Sequence, residues 1–259
     1  MDSVTPADER VAVVTGAAAG IGRASAQAFA RAGYRVALLD RDRDGVAGVA
    51  AEIGETALSI PCDVGVWEEV SAAFQRVSDA FGRIDALHSN AGASGYFLFE
   101  QLTIEEMRSQ IDVNLMGHLY CAKAALPLLA ISPAGAIVFT ASVQGHVTLP
   151  GCVPYAAAKA GLMAVARALA VELGASGIRV NTVSPGTIDT PMLRRDLVGM
   201  SDDNVEGFLT QVRAANALGR IGEADEIANV VLFLCSELAS YITGEDILVD
   251  GGFLAVKKV

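Results

Sequence analysis

Four cysteines and three histidines are all that 259 residues contain of thiol and imidazole metal ligands. Cys62, Cys121, Cys152 and Cys235 are widely separated with no C-x-x-C pair, and His88, His118 and His146 fall into no ligand spacing. Neither a disulfide framework nor a metal site is expected, and reduced thiols fit a cytoplasmic protein. Basic side chains are also scarce: 19 Lys and Arg stand against 30 Asp and Glu, for a net charge of −11. Nucleic acid and anionic membranes are held mainly through Lys and Arg, so neither is an expected partner. Residues 1–10, MDSVTPADER, offer no positive n-region and no apolar h-region, so no secretory signal is expected. A run without any charged residue separates Lys123 from Lys159. Pro127, Pro133, Gly135, Gly145, Pro150, Gly151 and Pro154 cut it into pieces too short to cross a bilayer.

What the chain does have is apolar residues (52 %), with aromatics at only 6 %. That mix, dominated by small aliphatic residues, suits helices packed closely on a parallel sheet. Val11–Thr15, Arg35–Asp40, Ala57–Ile60, Ile84–Ser89, Ala136–Ala141, Ile178–Ser184 and Asp246–Val249 read as strands. Ile21–Ala32, Asp44–Ile53, Trp67–Phe81, Ile104–Leu129, Tyr155–Gly174 and Ala224–Leu238 read as helices, the fourth broken near Ile111–Val113. Such alternation predicts right-handed βαβ units in a single α/β domain over residues 1–259, a Rossmann fold with a doubly wound, seven-stranded parallel sheet flanked by helices. Ligands of such sheets bind beyond the carboxyl ends of the strands.

Chemistry-bearing residues cluster at those ends. The first strand runs into Thr15–Gly22, TGAAAGIG, which then opens a helix. Gly16, Gly20 and Gly22 permit a tight turn and a close approach of a pyrophosphate, and the helix N-terminus, from Ile21 onward, offers free N–H groups. Asp40 ends the second strand, where a carboxylate can take both hydroxyls of an adenosine ribose and repels a 2′-phosphate. That favours NAD, although the adjacent Arg41 could pair with the phosphate of NADP. Tyr155 and Lys159 are four apart on a helix and share one face. An ammonium beside a phenol lowers its pKa, which would let Tyr155 take a proton from an alcohol or return one to a ketone. Ser142, Asn90 and Pro185-Gly186 each follow a strand, and Asn114 sits mid-helix, where propensity gives no reason for it.

Together these residues resemble the short-chain dehydrogenase/reductase family over about Val11–Gly252, through TGAAAGIG, Asp63-Val64, Asn90-Ala91-Gly92, Asn114, Ser142, Tyr155-Ala-Ala-Ala-Lys159, Pro185-Gly186 and Val249–Gly252. The resemblance implies that Tyr155 is the acid/base and Ser142 holds the substrate oxygen. Lys159 would bind the nicotinamide ribose and tune Tyr155, and Asn114 would position a water leading from Lys159 to solvent. Asp63 and Val64 would meet adenine, Asn90 the adenosine ribose, and Ile188 and Thr190 the carboxamide. It also implies a homotetramer and a mobile substrate lid over residues 190–218, whose plain alternative is a pair of surface helices. Ser89 departs from a second Asn found in many relatives. Ser94, Gly95, Gln144, His146, Val147 and Cys152 are the expected pocket walls, His146 being more a loop residue than a second base. The expected partner is a small alcohol or ketone. An NADPH-dependent ketone or 3-oxoacyl-thioester reductase and a non-catalytic nucleotide sensor remain the alternatives.

Overall fold

A computed structural model describes residues 10–198 and 201–256. The first nine residues, where no signal is expected, and Gly199 and Met200 of the expected lid lie outside the described residues.

Seven parallel strands form one sheet: β1 (Val11–Thr15), β2 (Arg35–Asp40), β3 (Ala57–Pro61), β4 (Ala86–Ser89), β5 (Ala136–Thr140), β6 (Arg179–Pro185) and, after two short strands outside the sheet, β9 (Asp246–Val249). Their spatial order is β3-β2-β1-β4-β5-β6-β9. Successive residues of a strand point to opposite faces, so each strand feeds two cores. Ala12, Val14, Val36 and Leu38 meet Phe29 of α1 (Gly20–Arg31) and Val46 and Val49 of α2 (Arg43–Ile53). Their neighbours Val13, Ala37 and Leu39 point the other way, toward Val70, Phe74 and Val77 of α3 (Trp67–Phe81) and Leu162 and Ala166 of the long helix Val153–Leu173. Near-continuous apolar strands are the consequence of this two-sided burial, and each large aliphatic or aromatic side chain so buried stabilises the fold by about 1.5–3 kcal/mol.

The chain leaves β1 in one direction, through β2 and β3, and returns on its other side through β4. The order therefore reverses between β1 and β4, and a crevice opens at their carboxyl ends.

The fourth helix departs from expectation. Rather than breaking near Ile111–Val113, it runs on from α4 (Ile104–Ile111) through one wider π-helical turn, Asp112–Met116, into α5 (Gly117–Leu129). Residues on both sides of the turn keep right-handed helical dihedrals, so the direction is kept while the hydrogen-bond register shifts. The long helix Val153–Leu173, α6, begins two residues before its expected start. The segment expected as a lid carries a short strand β7 (Ile188–Asp189) and helices α7 (Pro191–Asp196) and α8 (Asp202–Ala215). β7 pairs with β8 (Gly222–Glu223), a two-stranded sheet without counterpart in the sequence pattern, ahead of α9 (Ala224–Cys235).

Candidate active site

The glycine turn sits at the mouth of the crevice. Gly16 has φ +67° and Gly20 φ +53°, the left-handed region that favours glycine. A Cβ on Gly16 would lie 2.9 Å from Cα of Ala91, so β1 and the end of β4 approach backbone to backbone. No side chain caps the first turn of α1, where Ala19 is the N-cap. Uncapped N–H groups at a positive dipole end are suited to an anion. Asp40 stands beside this turn: its Oδ2 accepts from the Ala18 N–H (3.0 Å) and its Oδ1 from the Asp42 N–H (2.9 Å). Arg41 is exposed and makes no ion pair among the described residues. Asp63 Oδ1 accepts from the Gly65 N–H (2.9 Å), and Val64 is buried against Gly117.

Three consecutive residues join this half of the crevice to the other. Asn90 is tied to Thr15, which accepts the Asn90 N–H at its Oγ1 (2.9 Å) and the Nδ2 donor at its carbonyl (3.1 Å). Ala91 donates to the same Thr15 hydroxyl at 3.0 Å. A Cβ on Gly92 would meet Asn114 Oδ1 at 3.0 Å and Lys159 Nζ at 3.6 Å. The strand end Asn90–Gly92 thus runs from the glycine turn straight to Asn114 and Lys159.

Asn114 is fully buried. Its Oδ1 accepts from the Ala93 N–H (3.1 Å), and its Nδ2 donates to the carbonyls of Ala93 and Gln110 and to Gln110 Oε1, each at 2.9 Å. The Gln110 carbonyl, in the last turn of α4, is thus bonded by a side chain from within the π-helical turn. Lys159, 2 % exposed, donates from Nζ to the Thr140 carbonyl at 2.7 Å and lies 5.6 Å from the centre of the Tyr155 ring. Ser142, two residues past the end of β5, caps the short turn Val143–Gly145, its Oγ accepting from the Gln144 N–H (3.1 Å).

The electrostatics correct one expectation. Burial drives Lys159 down to about 7, and burial likewise pushes the Tyr155 phenol up to about 12, against a smaller opposite pull from the Ser142 hydroxyl. A lysine that is only partly charged at neutrality is a weak acidifier, so in the chain alone the phenol is not the acidic one that the spacing implied. It is a proton donor at neutral pH.

On the far wall, Gly186 packs against Asp250 and donates its N–H to Val249 (3.0 Å), while Ile188 is buried. Thr190 caps α7 and touches the glycine turn, with its Cβ and Cγ2 3.3 Å from where a Gly20 Cβ would stand. Ser94 donates to Asp196 of α7 at 2.7 Å. Gly95 packs against Phe97, and Cys152, 3 % exposed, starts α6 with its thiol pushed up by burial. Gln144 holds the Leu149 N–H through Oε1 (3.1 Å), Val147 is 47 % exposed at the rim, and His146 hydrogen-bonds Asp246 of β9 (2.7 Å), a strut rather than a pocket wall. Thr15, Thr140, Gln110 and Asp196 do not stand out in the sequence. Two of them, Thr15 and Thr140, carry a signal that could have found them: each is a polar residue closing an apolar strand, as Ser142 nearly does.

These features fit a dinucleotide: a glycine cradle that a Cβ would fill, an uncapped helix N-terminus and a carboxylate at the end of β2. Among the described residues no group of His, Cys, Asp and Glu is arranged to hold a metal, and no helix is long and apolar enough to cross a membrane. Comparison with known proteins agrees on the class. A family model described as enoyl-(acyl carrier protein) reductase matches residues 16–254. The chain is 38 % identical over 255 residues to cis-4-hydroxycyclohexanecarboxylate dehydrogenase of Sinomonas cyclohexanicum, covering 96 % of this chain and 98 % of that one. It is 36 % identical to the 3-oxoacyl-(acyl-carrier-protein) reductase FabG of Escherichia coli, over 95 % and 98 % of the two chains. The structure of 3-ketoacyl-(acyl-carrier-protein) reductase from Brucella melitensis complexed with NADH is similar with a TM-score of 0.87 and 32 % identity, over 94 % of this chain and 98 % of that one. With its seven-stranded fold and these relatives, the chain belongs to the short-chain dehydrogenase/reductase family and is an oxidoreductase acting on alcohol or ketone carbons.

Proposed function

We infer that the chain moves a hydride between NAD and a secondary alcohol or ketone, with Tyr155 as the acid/base. The observation that carries this reading is the continuous rim Asn90–Gly92, which sets Lys159 and Asn114 at one end of a crevice whose other end is the glycine turn. Gly16, Gly20, Ile21 and Gly22 would hold the pyrophosphate, Asp40 and Asn90 the adenosine ribose, Asp63 and Val64 the adenine. Pro185, Gly186, Ile188 and Thr190 would flank the nicotinamide end. A bound nicotinamide dinucleotide supplies the hydride acceptor or donor. The chain supplies the proton handling: the Tyr155 hydroxyl gives a proton to a ketone oxygen or takes one from an alcohol, Ser142 orients that oxygen, and Lys159 sets the charge beside the phenol. Asn114, bonded to Ala93 and Gln110, fixes the backbone next to Lys159. Residues 190–218 would act as the lid that keeps water out.

Asp40 supports NAD over NADP, because its carboxylate is tied through Oδ2 to Ala18 of the glycine turn and would face a 2′-phosphate with like charge. One observation favours the other cofactor: Arg41 is exposed beside it. A panel of secondary alcohols and ketones assayed with NAD and with NADP, followed at the reduced-nicotinamide absorbance, tests both. Tyr155→Phe is expected to lower kcat by about 10²–10⁴-fold while NAD affinity stays close to that of the unchanged chain. Comparable turnover in that variant overturns the role of Tyr155.

A further inference from the structure

Helix α7, in the segment expected as a lid, brings a carboxylate to Ser94, one of the expected pocket walls. Asp196, the last residue of α7, is 102 positions from Ser94 in the chain, yet its Oδ1 accepts the Ser94 hydroxyl at 2.7 Å. Ser94 is itself fixed, because the preceding residue, Ala93, is bonded in both directions to the buried Asn114. The loop after Ser94 closes on the start of α6, with the Phe97 N–H donating to the Gly151 carbonyl at 3.1 Å. Asp196 is therefore held against the same wall that carries Gly92, Cys152 and Tyr155. Its field reaches the reacting group: after burial, the pull of Ser142 and the fields of Tyr96 and Cys152, the Asp196 carboxylate adds to the upward push on the Tyr155 phenol. It acts in the same sense on Tyr96 and Cys152.

No cation of the described residues answers this charge. Arg194, two residues earlier, is turned to Asp189, with bonds of 3.1 and 3.2 Å. Arg195 is exposed, and His146 is engaged with Asp246. Among the described residues the second oxygen of Asp196, Oδ2, accepts no hydrogen bond. A carboxylate oxygen in that condition is an acceptor for a hydroxyl and a source of repulsion for an anion.

We propose that Asp196 selects the substrate by charge, accepting a second hydroxyl of a neutral diol or polyol and rejecting alcohols that carry a carboxylate or phosphate. The proposal rests on the hydride-transfer reading and narrows its substrate class. It works against hydroxy acids and against the phosphate-bearing arm of a carrier-protein thioester. Discrimination of this kind comes as much from the repulsive element as from the attractive one.

Two matched pairs test it: 4-(hydroxymethyl)cyclohexanol against 4-hydroxycyclohexanecarboxylate, and propane-1,2-diol against lactate. Within each pair a CH₂OH replaces a carboxylate and little else changes. The unchanged chain is expected to show at least about a tenfold higher kcat/KM for the diol, the scale of one like-charge contact near a protein surface. Asp196→Asn keeps an oxygen for Ser94 but removes the charge. It is expected to raise the value for the hydroxy acid and lower that for the diol, compressing the ratio about tenfold. A ratio that Asp196→Asn leaves unaltered, or a preference of the unchanged chain for the acids, overturns the proposal. Calorimetric titration of the same four compounds into the NADH-loaded protein gives a readout free of turnover. If none of the four is oxidised, the hydride-transfer reading suffers for these alcohols, while the charge preference is still decided by binding. Equal binding of acid and diol, or binding of neither, sinks the role of Asp196.

Discussion

The carbonyl oxygen of Gly16 lies 2.0 Å from the point that a Cβ on Gly22 would occupy, and Asn90 Nδ2 lies 2.8 Å from it. Both neighbours are fixed, one as backbone and the other by its bonds to Thr15 and Thr140. A methyl at position 22 must therefore displace the turn. Gly22→Ala is expected to weaken NADH binding by tenfold or more, read by fluorescence titration. The fold should survive, because alanine is preferred to glycine inside a helix by about 1 kcal/mol. Gly48→Ala provides the contrast: nothing lies within 4 Å of its added methyl, so that variant should bind NADH as before and melt at the same or a higher temperature. Equal affinity in the Gly22 variant shows that the dinucleotide does not use this turn.

Asp40 makes a second prediction because its two oxygens are already committed to backbone N–H groups of Ala18 and Asp42. The Ala18 bond ties the carboxylate to the turn, and the Asp42 bond ties it to the start of α2. They also mean that removing it costs stability, about 1–3 kcal/mol for the part-buried Ala18 N–H left without a partner, while the exposed Asp42 N–H can turn to water. Asp40→Ala is expected to lower the melting temperature modestly and to shift the ratio of kcat/KM for NAD over NADP by at least tenfold toward NADP. The exposed Arg41 is then the group at hand to take the phosphate. An unaltered ratio shows that Asp40 shapes the turn and does not read the ribose.

Much of the site is legible in the sequence because its chemistry sits at strand ends, and strands are the clearest periodic signal in the chain. The run Val11–Thr15 marks β1, and the residues just after a strand of such a sheet lie at the crevice. Tyr155 and Lys159 need only helical spacing. The sequence marks an irregularity near Ile111–Val113 but not its form: the π-helical turn at Asp112–Met116 keeps the helix's direction, and no periodicity records a shift of hydrogen-bond register. Asp196 is not legible either, since its position depends on a bond to a residue 102 positions earlier. The sense of the Tyr155 shift is hidden for a related reason. Spacing shows that a lysine is adjacent but does not show that burial has lowered its pKa.

That burial yields the last prediction. Lys159 titrates at about 7 in the folded chain, against about 10.4 for an unperturbed lysine. Between these values the unfolded chain binds a proton that the folded chain does not, so stability rises with pH across this window. Below pH 7 both states are protonated, and the buried ammonium exerts its full destabilising effect, on the order of a few kcal/mol. Lys159→Met should therefore melt higher than the unchanged chain at pH 6 when no dinucleotide is added. The advantage should shrink steadily toward pH 10. Losing the donor to the Thr140 carbonyl offsets part of the gain at every pH and leaves the slope intact. Melting curves of both proteins from pH 6 to 10 decide the matter, and a difference that stays flat means that Lys159 remains charged in the fold. The same variant should be inactive as a dehydrogenase, since the lysine that strains the fold is the one placed beside Tyr155.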